Sequence, residues 1–214
     1  MLPPDPLSLQ TALLLVEIAA IAAFALSGLM EAAHKRLDVV GALAVSGLAA
    51  FGGGTLRDVL LDRRPFFWVE HSGYVWFLLG LGLITMLWLR RRHLRPTRRA
   101  IVWPDTLGLG LFTATGTQLG LQHGMPPLIA VLMGVITAVM GGVLRDIVCN
   151  EIPSAFRDHR PYALCAFAGG WAGVAARSLG ADEAQALAAA AGLTITLRSA
   201  ALWGRWRVPA WPAD

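Results

Sequence analysis

An all-α integral membrane protein of seven transmembrane helices, built as two inverted three-helix repeats and a seventh helix, is the fold class this sequence predicts. Three observations carry that expectation. Of 214 residues, 56% are hydrophobic and only 15% charged, whereas a soluble domain carries about a quarter charged residues. Seven apolar stretches follow one another with short loops between them. Finally, Gly53-Gly54-Thr55-Leu56-Arg57-Asp58 with Pro65 is echoed 88 positions later by Gly141-Gly142-Val143-Leu144-Arg145-Asp146 with Pro153.

The apolar stretches cover residues 10–30, 39–61, 74–89, 106–121, 127–149, 162–176 and 184–203. A span needs ~20 apolar residues, with a range of about 17–25. The third, fourth and sixth are short and reach that length only through semi-polar flanks. No basic segment precedes the first stretch, because the first Lys or Arg is Lys35. It is therefore read as a retained span and not as a cleaved signal. A single transmembrane domain over 1–214 is expected, with repeats at 9–90 and 101–178 and the seventh helix at 183–204.

Charge sets the expected orientation, since Lys and Arg gather in cytoplasmic loops. Assigned to alternate sides, Lys35, Arg36, Arg90, Arg91, Arg92, Arg95, Arg98, Arg99, Arg157, Arg160, Arg205 and Arg207 make twelve on one side. Arg63, Arg64 and Arg177 make three on the other, and Arg57, Arg145 and Arg198 fall inside spans. The N-terminus is then outside and the C-terminus cytoplasmic, which requires an odd number of spans. The basic run from Arg90 to Arg99 reads as a topology anchor and not as a nucleic-acid site, so membrane lipids are the expected surroundings. Cys149 and Cys165 read as packing residues of a reducing compartment.

The offset of 88 aligns the halves without a gap. Phe24 meets Phe112, Gly28 meets Gly116, Tyr74 meets Tyr162 and Gly82 meets Gly170. Between Ala50 and Leu60, six of eleven positions are identical. Each unit holds three spans, an odd number, so the second inserts upside down. Inverted repeats of this kind recur in transporters, with the path at the repeat interface. The seventh span lies outside the repeat, and its Arg198 is a candidate partner for an intramembrane carboxylate.

Glycine costs about 1 kcal/mol against alanine in a helix interior. Gly52, Gly53 and Gly54, and more mildly Gly141 and Gly142, are expected to kink or break their helices, which would free carbonyls that survive only against protein or a wet cavity. Arg57 and Asp58, like Arg145 and Asp146, are sequence neighbours and are expected not to face each other. They either line a pore or lock the bent helices, with partners on other helices. Glu17 aligns with Asp105, so one carboxylate is expected toward each mouth, where it would concentrate cations. Asp105 follows Pro104 and reads slightly better as a helix N-cap; Glu17 has no such role and is free to pair with an intramembrane Arg. Ser27 aligns with Thr115, and with Thr113, Thr117 and Gln118 it offers polar groups either to an ion path or to neighbouring helices. Gly116/Gly120 and Gly169/Gly173 have the spacing of close helix packing.

The glycine runs, the repeated Arg-Asp, Pro65, Pro153 and the three-plus-three-plus-one layout resemble the prokaryotic branch of the trimeric intracellular cation (TRIC) channels, over residues 9–203. The resemblance implies a homotrimer in a prokaryotic inner membrane, with a pore in each subunit for monovalent cations. Potassium is the expected ion and sodium the second candidate. It also implies a pore lined by the first, second, fourth and fifth spans and bent at Gly52, Gly53, Gly54, Gly141 and Gly142. Met140 replaces the first glycine of the second copy, which implies a shallower second bend. Because related sequences have been described as glycine transporters, a small-solute carrier using the same helices is the alternative. No cofactor, metal site or nucleic-acid partner is expected. An enzyme is disfavoured: there is no HExxH, no Ser/His/Asp set and no phosphate loop, since Gly52-Gly53-Gly54-Thr55 lacks the Lys-Ser/Thr ending. The five histidines fall near loops without metal-ligand spacing.

Overall fold

The computed structural model describes residues 6–92, 96–157 and 159–209; His93 and Arg95 of the basic loop lie outside them. The described residues form helices and no strands: α1 (Pro6–His34), α2 (Val39–Leu60), α3 (Phe67–Glu70), α4 (Gly73–Arg92), α5 (Arg98–Gln122), α6 (Pro127–Val148), α7 (Ser154–Arg157), α8 (Ala163–Ser178) and α9 (Glu183–Trp203). Their starts follow local chemistry. Asp38 and Thr97 accept from the amides of Gly41 and Ala100, Pro127 opens α6, and Asp182 with Gln185 forms a capping box on α9. The ends of α2 and α6 are repeat-related: Asp62 and Asn150, 88 apart, both take a left-handed backbone, which Asp and Asn tolerate best among non-glycine residues.

Among the described residues, five helices are long and apolar enough to cross a membrane: Leu13–His34, Val39–Leu60, Gly73–Arg92, Pro127–Val148 and Glu183–Trp203. α8, with 16 residues, is too short for that measure, and α5 is too polar. The polarity of α5 has a structural basis. It is the central helix, packed by α1, α6, α8 and α9, so its hydroxyls face protein. α4 is peripheral and turns Trp76, Leu83, Ile84 and Trp88 outward.

The expected breaks at the glycines are absent. α2 and α6 run as uninterrupted α-helix through Gly52–Gly54 and Gly141–Gly142. The glycines serve the crossing of the two helices instead. A methyl at Gly53 would overlap the Thr137 carbonyl, and one at Gly141 would overlap the Ala49 carbonyl. The helical cost of glycine is thus offset by backbone-to-backbone approach, the use small residues have in membrane bundles. Gly116 and Gly120 approach α6, and Gly169 and Gly173 approach α9, in the same way. Phe24 of α1 stacks on Phe112 of α5 at 5.5 Å, while Ser27 donates to the carbonyl of Ile101; these two contacts make α1 and α5 antiparallel.

Candidate functional site

After α2 and α6 the chain turns back at Pro65 or Pro153 into a four-residue helix, whose first amide points at the preceding aspartate. Phe67 N–H donates to Asp58 Oδ2 and Ser154 N–H to Asp146 Oδ2, both at 2.8 Å. The other oxygen takes the arginine. Arg57 Nε and Nη2 donate to Asp58 Oδ1 at 2.9 and 2.8 Å, and Arg145 Nε donates to Asp146 Oδ1 at 2.8 Å. This corrects the expectation that these neighbours do not face each other. Adjacent Cβ atoms do diverge on a helix, but the arginine stem is long enough to fold its planar fork back onto the next residue.

Partners from other helices complete each cluster. Arg57 Nη1 lies 3.7 Å from Glu17 Oε1, and the Tyr74 hydroxyl donates to Glu17 Oε2 at 3.1 Å. In the second copy Arg145 Nη1 donates to Asp105 Oδ1 at 2.7 Å, and Tyr162 donates to Asp105 Oδ2 at 2.7 Å. Arg145 also donates to the hydroxyl of Ser27. Arg57 is 1% exposed and Arg145 3%, so both guanidiniums depend on these carboxylates, as buried charges must. The clusters differ in openness, because the Glu17 side chain is 20% exposed and that of Asp105 only 7%. Glu17, Tyr74, His71 and Thr115 line a cavity of about 560 Å³. Asp105, Arg145, Asp146, Glu31 and Arg160 line one of about 90 Å³.

Two further expectations are corrected. Asp105 is no N-cap: Thr97 caps α5, and Pro104 lies inside the helix, which leaves Asp105 facing inward with Arg145 and Tyr162. Pro104 lies beyond the first turn of α5 and removes the backbone hydrogen bond to the Ala100 carbonyl without ending the helix, so a proline in this sequence does not mark a helix start. Arg198 takes no carboxylate among the described residues. It donates to the carbonyl of Pro161 at 3.0 Å and lies over the Tyr162 ring at 4.8 Å.

The polar candidates are all buried, with differing partners. Thr113 and Thr115 donate back to the carbonyls of Leu109 and Leu111, and Gln118 donates to Glu183 at 2.5 Å. The Thr117 hydroxyl has no partner among the described residues. The tyrosines went unassigned in the sequence, although a signal was there: the chain has only two, and they are 88 apart. Among the described residues no group of His, Cys, Asp or Glu could hold a metal ion.

A family model described as Glycine transporter matches this chain twice, at residues 14–90 and 102–178, two segments 88 positions apart. A UPF0126 membrane protein of Vibrio cholerae is 34% identical over 205 residues, covering 94% of this chain and 83% of that protein. The UPF0126 inner membrane protein YadS of Escherichia coli K12 is 36% identical, over 72% of this chain and 74% of its own length. Among solved structures, the TRIC trimeric intracellular cation channel orthologue from Rhodobacter sphaeroides is 36% identical with a TM-score of 0.83, over 91% of this chain and 99% of that one. A TRIC cation channel solved to explain conductance is 30% identical with a TM-score of 0.82, over 94% and 97%. With a repeated Arg-Asp cluster in the fold and matches at this identity over nearly its whole length, the chain belongs to the prokaryotic branch of the trimeric intracellular cation channel family.

Proposed function

We propose that the protein is a monovalent cation channel of a prokaryotic inner membrane, permeable to potassium with sodium second, and working as a homotrimer with one path through each subunit. The observation that carries this reading is the likeness to the Rhodobacter sphaeroides channel over 91% of this chain. The inner-membrane location is supported by the name of the Escherichia coli relative. In this reading α1, α2, α4, α5, α6, α8 and α9 are seven spans. Residues 9–90 and 101–178 are the inverted repeats, 183–204 is the seventh helix, and α1, α2, α5 and α6 line the path.

The contacts support the repeat. Gly53 meets Thr137 and Gly141 meets Ala49; Gly53 and Gly141 are 88 apart and so are Ala49 and Thr137, so each contact is the other with the two helices exchanged, as a two-fold axis requires. Phe24 and Phe112, themselves related by 88, stack on each other, which suits an axis passing between them. Charge counting favours an outside N-terminus and a cytoplasmic C-terminus. The Glu17 cluster then belongs to the outer mouth and the Asp105 cluster to the inner one.

Carboxylates at both mouths draw cations in. Arg57 and Arg145 neutralise them where they are buried, so permeation requires those pairs to loosen. Gly52, Gly53, Gly54, Gly141 and Gly142 act as the pivot on which α2 and α6 move. An ion flowing down its gradient through this path needs no resident cofactor. Potassium-loaded liposomes containing the protein test the reading: they are expected to release potassium in an unsaturable manner and to take up no labelled glycine. Saturable glycine uptake without potassium release would establish the carrier instead.

A further inference from the structure

We propose that Arg198 of α9 is a positioning residue that locks the inner mouth, making two repeat-related mouths unequal; this rests on the channel reading above. α9 follows both copies, so an arginine on it has no counterpart in the other half. Arg198 is 4% exposed, in a helix otherwise apolar enough to span the membrane, where a charge is costly and is held by polar partners.

Its contacts converge on one residue. The guanidinium lies over the Tyr162 ring at 4.8 Å, and Nη1 takes the carbonyl of Pro161, one residue before, at 3.0 Å. Tyr162 is the N-cap of α8 and its side chain makes no cap bond, so the helix does not itself aim the ring. Arg198 therefore holds both the ring and its backbone. From there the hydroxyl reaches Asp105 at 2.7 Å, and Asp105 reaches Arg145 at 2.7 Å.

The outer mouth lacks this support. Tyr74 is flanked by the rings of Phe67 and His71 at 5.9 and 5.7 Å, while the nearby guanidinium, Arg57, lies over Phe67. Each link there is longer: 3.1 Å from Tyr74 to Glu17 and 3.7 Å from Glu17 to Arg57. The seventh helix thus tightens one end of the path and leaves the other loose. A shift of α9 would release Tyr162, then Asp105, and then the hold on Arg145.

The test uses the full chain with Cys149 and Cys165 replaced by serine and Ile101→Cys as a reporter, because Ile101 lines the inner cavity. A membrane-impermeant thiol reagent is applied to inside-out vesicles. Arg198→Gln is expected to speed labelling about tenfold, the effect of one charge-assisted hydrogen bond. Tyr162→Phe, which keeps the ring, is expected to speed it similarly, the double variant no more than either single, and Arg198→Lys is expected to restore most of the protection. Tyr74→Phe is expected to leave the rate unchanged. Unchanged labelling in Arg198→Gln, or effects of Arg198→Gln and Tyr162→Phe that multiply, would overturn the proposal. The labelling does not depend on conduction, so a wild type that passes no potassium refutes the channel reading separately.

Discussion

Glu17 and Asp105 hold equivalent places in the two halves, but they do different amounts of structural work. Asp105 accepts from Arg145, at 2.7 Å, and from Tyr162. Removing it leaves a guanidinium buried without that partner, a loss that typically costs about 3–5 kcal/mol. Glu17 is partly exposed and 3.7 Å from Arg57, so Glu17→Ala is expected to cost about 1 kcal/mol or less. Thermal unfolding in mild detergent checks both; equal losses would contradict the difference in openness. At the loop face, Lys35 pairs with Glu151, which also takes Arg157. The hydrogen bond from Lys35, followed by that from Arg157, lowers the Glu151 carboxyl from its ordinary 4.5, and the same bond raises Lys35 from 10.5. A lowered carboxyl contributes stability above its ordinary value and loses it as pH falls through the folded one. A raised amine contributes below its ordinary value and loses it as pH rises past the folded one. The melting temperatures of wild type and Glu151→Gln are therefore expected to differ by a constant amount between pH 5 and 10 and to converge in acid. At this scale the repetition of Arg-Asp in the sequence marks charged residues that the fold gathers into ion pairs, and Glu17, with no cap to form, meets Arg57. The Arg-Asp bonds stayed hidden because helical spacing describes Cβ positions and not the reach of a guanidinium.

The crossing of α2 and α6 is the element-scale centre of the molecule. A side chain at Gly53 or Gly141 would strike the facing backbone, which cannot rotate aside as a side chain can. Gly53→Ala and Gly141→Ala are each expected to destabilise by about 1–3 kcal/mol, as overpacking does. Gly47→Ala is the control. No atom lies within 4 Å of its added methyl, so it is expected to be neutral or to stabilise by about 1 kcal/mol or less. Detergent melts of the three variants check this, and equal behaviour would mean the crossing is not tight. Small-residue packing at Gly116 and Gly169 was legible from GxxxG spacing. The unbroken helices at Gly52–Gly54 and Gly141–Gly142 were not. Propensity is measured on isolated helices, whereas in lipid an unmade backbone hydrogen bond costs several kcal/mol and outweighs it.

For the whole molecule, hydropathy made the helical membrane architecture legible, while the 88-residue offset pointed to the two segments that the family model matches. α5 and α8 were the weak points, and for one reason in α5: a helix surrounded by other helices has no need of an apolar surface. The same burial concealed the pairing of Tyr162 with Asp105, since partners 57 positions apart meet only once the helices are packed. Topology is open to direct test. In whole cells an impermeant thiol reagent is expected to label Ser72→Cys and not Thr97→Cys, as an outside N-terminus requires; the reverse pattern would invert the assignment of the mouths. Conduction of monovalent cations by each subunit is tested most directly by recording purified protein in a planar bilayer under a gradient of potassium chloride. Unitary currents are expected, reversing close to the potassium equilibrium potential. Reversal near the chloride potential, or bilayers that stay silent while the same protein accumulates glycine in vesicles, would contradict such conduction.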